Sequence, residues 1–206
     1  MAVTLDDIKQ LFRTIIIPFH TLERDMPLPL PDHRPDNDAE HSWALSFLAI
    51  SVANEIDPRL DVGKVSIFAT VHDLVEVYAG DTSVWADAAM LANKGEREQL
   101  ALQKLRAEFP QFPSIFRYIN EYERRDSNEA KFVYALDKFI NLLTIVEDNG
   151  YYYREKHKIT KAQYKQQLVS HKQKAHSHPA VGKYYDELRA LFDTNPEHFY
   201  SDHQLQ

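Results

Sequence analysis

Cysteine is absent from all 206 positions. That excludes disulfides, thiolate metal ligands and a cysteine nucleophile, so any metal site must be built from His, Asp and Glu. Glycine is scarce, with five residues, and neither G-x-G-x-x-G nor G-x-x-x-x-G-K-[ST] occurs, which removes the glycine-rich phosphate loops. Long apolar runs are missing too. Ile15-Ile16-Ile17 is the longest near the start and is far too short to span a bilayer, so no membrane partner is expected. The opening MAVTLDDIKQ carries early acids and no apolar signal core, and a cytoplasmic location is expected. Positive charge is not in excess. The formal net charge of -7 argues against polymeric nucleic acid as partner, because non-specific binding needs Lys and Arg to neutralise phosphates. A small phosphate-bearing ligand needs only one or two well-placed cations.

What is present is ordinary for a globular chain: 44% hydrophobic and 27% charged residues, with 11 Tyr and 11 Phe. The length suits one domain with its own core. Helical spacing dominates. Leu5, Ile8, Leu11, Phe12, Ile15, Ile16 and Phe19 predict a first helix that Pro18 bends or ends. Residues 26–36, with four prolines, predict an extended loop. A second helix is predicted from Asp38 to about Glu55, with Trp43 and Phe47 in the core. Asp61 caps a third that runs to Ala79-Gly80, followed by a loop over 81–93 with one short turn. Further helices are predicted over 94–109, 114–124, from Ser127 to about 149, 160–174 and 180–193. No alternating run reads as a strand and no repeat is visible, so the fold class is all-α.

Ionisable residues sit where these helices should be buried: Glu40-His41, His72-Asp73, Glu76 and Asp137. His72 and Glu76 are four apart and share a helix face, with Asp73 one step round. Taken singly each has an ordinary reading as a surface hydrogen bond, solvated helix residue or cap. Together, two His and two Asp offer a mixed N/O shell suited to Mn, Co, Zn, Fe or Ni, and burying isolated carboxylates is otherwise costly. Two neighbouring stretches keep two readings each. SHKQKAHSHP (His171, His176, His178) reads as a solvated helix end or a weak surface metal site, the former favoured, and YYYREKHK as a packed helix end or an aromatic, basic nucleic-acid surface. Tyr78 and Trp85, beside the Gly80-Asp81 turn, either stack on a base or pack in the core.

The set His41, His72-Asp73, Asp137 resembles the H…HD…D signature of the HD-domain phosphohydrolase superfamily. AEHSW, HDLVEVYAGDT and EAKFVYALDKF resemble three blocks of the HD hydrolases that include the 5′-deoxynucleotidases, over about residues 5–150. The resemblance implies an HD-domain helical bundle: one domain, 1–206, with an HD core over about 36–150 and C-terminal helices over about 151–200 packed on it. It implies His41, His72, Asp73 and Asp137 as ligands of a divalent transition metal, a catalytic Glu76 and a supporting Asp81. The group carries an Arg and then an acid before Glu-His. RPDNDAEH supplies Arg34 and Asp36, the latter where Glu is more usual, and Arg24 is the nearest earlier Arg. Arg34, Arg24 and Trp85 are therefore the expected substrate contacts. The implied activity is hydrolysis of (deoxy)nucleoside 5′-monophosphates. The alternatives are a nucleoside triphosphate hydrolase on the same centre and a non-catalytic nucleotide- or metal-binding module. A homodimer is compatible with the many aromatics.

Overall fold

The computed structural model describes residues 2–201. Thr4 caps α1 (Leu5–Leu11) in a reciprocal capping box with Asp7. The rod continues through a π-helical turn, Phe12–Ile16, into α2 (Ile17–Thr21). The widened turn falls immediately before Pro18, which has no N–H to continue the regular ladder.

The predicted loop is in part a hairpin, which corrects the expectation of no strand. β1 (Glu23–Pro27) pairs antiparallel with β2 (Pro35–Asn37), in a register that shifts between Glu23↔Asn37 and Pro27↔Pro35. A proline ends one strand and another begins its partner, positions where the missing N–H is tolerated. Asn37 then caps α3 (Asp38–Ile56) in a box with Glu40.

α4 (Val62–Val71), capped by Asp61, is shorter than predicted. Residues 72–75 form tight turns, with Leu74 N donating to Val71 O and Glu76 N to Asp73 O, before the short α5 (Glu76–Ala79). His72 Nδ1 lies 2.9 Å from the Ala69 carbonyl, which an unbroken helix would offer to the backbone of Asp73. Gly80, at φ 75°, ends the segment in a conformation that favours glycine. Next come α6 (Ala88–Ala92), α7 (Lys94–Glu108), α8 (Pro113–Arg124) and α9 (Asn128–Glu147). A second π turn at Tyr152–Lys156 leads to α10 (Lys161–Ala175) and α11 (Pro179–Thr194).

Leu45, Ala49, Val65, Phe68, Phe132, Val133 and Leu136 form the core between α3, α4 and α9. Leu142 and Ile145, further along α9, join Tyr153, Tyr164, Leu168, Tyr185 and Phe192 in a second core. α9 thus belongs to both, and the cavity described below lies along it. Trp43 and Phe47 are not core residues: they are 69% and 63% exposed and stack on each other. The buried stripe of α3 is instead His41, Ser42, Leu45, Ala49 and Ala53, whose small residues admit close helix packing. The 151–158 stretch follows its packing reading, with Tyr152 and Tyr153 buried and Lys156 on Asp25. Among the described residues no helix is long and apolar enough to cross a membrane.

Candidate metal centre and cavity

Three helical segments and the hairpin converge on one point. His41 lies in the first turn of α3, His72 and Asp73 in the turn after α4, and Asp137 midway along α9. His41 Nε2 is 3.1 Å from Asp137 Oδ1, and His72 Nε2 is 2.9 Å from Asp73 Oδ2. One ligand atom each from His41, His72 and Asp73 lie within 4.8 Å of one another. The structure therefore brings together all four residues expected as ligands.

The donor chemistry fits a cation. The 2.9 Å contact of His72 Nδ1 with the Ala69 carbonyl fixes the ring proton there. The Nε2 lone pair then faces an Asp73 oxygen, and buried Nε2 has no hydrogen-bond partner. Two acceptors so close need a proton or a metal between them. Burial disfavours charge on His72, but Asp73 and Asp137 outweigh it and raise its pKa. Burial and Arg24 push His41 down to about 4. Burial opposes ionisation of Asp73 and Asp137 as well, yet His72 and Arg24 hold the first, and Lys138 and His41 the second, below the usual carboxylate range.

A second carboxylate group adjoins the first. Asp38, Asp73 and Glu76 each place an oxygen within 4.8 Å of the others. Arg24, from β1, threads among them. It is 2.9 Å from Asp73, 3.2 Å from Asp38 and 3.4 Å from Asp36. Burial pushes Asp36 and Asp38 up to about 7. Glu76 is 3% exposed: Oε1 accepts from Lys94 Nζ at 3.3 Å and Oε2 has no partner. Burial, then the charge of Asp73, push it up to about 10. A cation beside Asp73 would lower that value.

The centre opens into a cavity of about 240 Å³. Its lining combines charged residues, Arg24, Asp73, Glu76, Asp81, Lys94, Asp137 and Lys138, with apolar and aromatic ones, Leu142, Ile145, Tyr153, Tyr164 and Leu168. Arg97 fixes the wall after Gly80, donating to Ala79 O and Thr82 Oγ1, each at 2.7 Å.

Two expected substrate contacts are not among the lining residues. Arg34 is held by Glu40 in a two-bond pair of 2.7 and 2.9 Å near the surface. Trp85 packs on His157 and edge-on to Tyr153. Tyr78, the other aromatic beside the turn, donates to Glu108 and lies under Lys104. The SHKQKAHSHP stretch is not simply solvated: His178 is buried and His171 and Lys174 line the cavity, so that reading is corrected. Asp38, Lys94, Lys138 and Lys174 were not singled out in the sequence, and His171 was read there only as part of a solvated helix end or a weak surface metal site. No short-range pattern marks them, because each stands on a helix whose partner lies elsewhere in the chain.

A helical bundle with an N/O cluster of this kind is the arrangement of the HD-domain hydrolases, and the chain belongs to the HD-domain family, whose profile matches residues 20–180. It is an HD-domain phosphohydrolase of a metal-dependent group. It is 28% identical to human (Homo sapiens) 5′-deoxynucleotidase HDDC2 over 164 residues, 79% of this chain and 75% of that protein. The mouse (Mus musculus) 5′-deoxynucleotidase HDDC2 is 29% identical over 107 residues, 51% of this chain and 52% of that protein. A crystal structure of a predicted metal-dependent phosphohydrolase from Magnetospirillum magnetotacticum MS-1 superposes with a TM-score of 0.74 at 28% identity, covering 94% of each chain. A conserved hypothetical protein from Pyrococcus furiosus shares the fold, with a TM-score of 0.58 at 20% identity over 91% of this chain and 99% of that one.

Proposed function

We propose that the protein hydrolyses (deoxy)nucleoside 5′-monophosphates to nucleoside and inorganic phosphate, with a divalent transition metal (Mn, Co, Zn, Fe or Ni) held by His41, His72, Asp73 and Asp137. The observation that carries the reading is the unpartnered His72 Nε2 facing Asp73, whose side chain lines a cavity divided between charged and aromatic residues. A phosphate monoester of a nucleoside has the same division. The human and mouse relatives are named for 5′-deoxynucleotidase activity, which supports this substrate class over other phosphate esters.

When bound, a divalent ion there supplies Lewis acidity, polarising a phosphoryl oxygen and making water acidic near neutral pH. The chain's own residues do the rest. Glu76 holds the proton taken from the attacking water, its Oε2 free of any partner and its Oε1 steadied by Lys94. Arg24 is fixed by three carboxylates and compensates negative charge at the centre. Asp81, on the cavity wall beyond Gly80, is assigned a supporting role beside Glu76.

The test is phosphate release from deoxynucleoside and nucleoside mono-, di- and triphosphates, each with Mn, Co, Zn, Mg and Ni. Orthophosphate from monophosphates is the expected result. Pyrophosphate or tripolyphosphate from triphosphates alone would replace the reading with a triphosphate hydrolase. Tight nucleotide binding with no turnover on any substrate would replace it with a binding module.

A further inference from the structure

Four cationic side chains line the cavity, and three of them are already neutralised. Arg24 is engaged by Asp36, Asp38 and Asp73, Lys94 by Glu76 and Glu98, and Lys138 by Asp137 at 2.5 Å. The fourth, Lys174, makes no ion pair or hydrogen bond through its ammonium to any of the described residues. It stands on α10, one turn after His171, so both side chains reach the same wall. The His171 ring likewise makes no hydrogen bond to the described residues. The surroundings make this uncompensated charge costly. Burial, then Lys138, Lys94 and Arg125, disfavour the charged form of Lys174, with only Asp137 opposing them. Burial, then Lys138 and Lys174, push His171 down to about 4. A half-buried ammonium among cations is stable with an anion beside it and strained without one.

We propose that Lys174 and His171 of α10, together with Lys138 of α9, form an anion-binding wall that takes the phosphate group of the substrate. Lys174 supplies an unpaired ammonium and His171 a neutral ring N–H. Lys138, shared with Asp137, ties the wall to the metal centre one residue away. The C-terminal helices then carry part of the substrate recognition rather than serving as packing alone. This inference rests on the phosphohydrolase reading of the same cavity.

The probe is inorganic phosphate, titrated into the purified full-length protein by calorimetry and read against metal content and thermal melting. Lys174→Gln should weaken phosphate binding about tenfold or more, the scale of a lost hydrogen bond to a charged group. Metal content should not change. Lys174→Arg should retain most of the affinity, since either cation can meet an oxyanion. His171→Asn provides a second variant should Lys174→Gln fold poorly, and it too should weaken binding. Lys183→Gln, on the exposed face of α11, is the control. Wild-type affinity for phosphate in Lys174→Gln or His171→Asn would overturn the proposal. So would a wild-type protein that binds no phosphate at millimolar concentration, or a Lys174→Gln variant that loses affinity for nucleosides but not for phosphate. Because binding is read without turnover, the two readings fail separately. Absence of nucleotide hydrolysis would sink the activity and leave the wall standing. Normal hydrolysis with unchanged phosphate affinity in the variants would sink the wall alone.

Discussion

Replacing Glu76 by Gln separates its chemistry from its electrostatics. The substitution keeps the shape of a side chain that is 3% exposed and removes a proton acceptor, while burial and Asp73, which push the carboxyl up to about 10, mean that it removes little charge from metal-free protein near pH 7. Oxygens of Asp38, Asp73 and Glu76 lie within 4.8 Å of one another. At that separation and an effective dielectric of about 20, a second ionised carboxylate would cost roughly 3 kcal/mol, which is why Glu76 is held neutral beside Asp73. Lys94 at 3.3 Å offsets part of this, less than the distance alone suggests because its side chain is 38% exposed. Glu76→Gln should therefore leave the melting temperature of metal-free protein unchanged or raised. Turnover should fall by about 10²–10⁴-fold, the usual contribution of a positioned acid or base. Steady-state phosphate release, metal analysis and a melting curve on the same preparation check all three. Wild-type kcat in the variant would remove Glu76 from the mechanism. Loss of metal together with activity would show that Glu76 acts as a ligand instead.

Arg24→Gln removes the partner of three carboxylates from a site where its side chain is only 11% exposed, so denaturant unfolding should show a loss of about 3–5 kcal/mol, and a loss under about 1 kcal/mol would contradict the pairing. Arg34→Ala breaks a solvent-screened surface pair whose members are 44% and 37% exposed, and should leave the stability close to wild type. Its KM for a nucleotide should match wild type, and a large rise would return Arg34 to the substrate. The ring of His171 resists protonation in the fold until pH falls to about 4, whereas in the unfolded chain it protonates near 6.5. Its stabilisation is thus present above pH 6.5 and lost as pH falls toward 4, amounting to up to about 3 kcal/mol. His171→Asn should flatten the unfolding free energy across that window, and an unchanged slope would argue that the ring is solvated.

The cluster of His41, His72, Asp73 and Asp137 was legible because its members sit inside short blocks that resemble those of the HD-domain hydrolases. Asp137, alone among apolar neighbours on α9, was visible also because a buried carboxylate needs a partner. The helices were legible where caps such as Asp61 and Ser127 precede an apolar stripe. The failures have physical causes. The hairpin was hidden because its strands are short and bounded by prolines. The break after α4 was hidden because Val71 and Val75 continue a helical spacing through the turn. Trp43 and Phe47 imitate a core stripe, while the true inner face of α3 uses Leu45, Ala49 and Ala53. The cationic wall was invisible for a different reason. Lys138, His171 and Lys174 look like ordinary solvated residues until α9 and α10 pack side by side, and a tertiary juxtaposition of that kind leaves no local signature.

Metal content by elemental analysis tests the central claim most directly, measured on purified wild type, His72→Ala and Asp137→Asn after dialysis against buffer without added metal. His41, His72 and Asp73 bring ligand atoms within 4.8 Å of one another and Asp137 lies 3.1 Å from His41, so on the proposed assignment the wild type should hold close to one divalent transition metal per chain. Both variants should hold a small fraction of that while keeping their helical circular dichroism. Metal retained at the wild-type level in both folded variants would contradict the assignment of the centre.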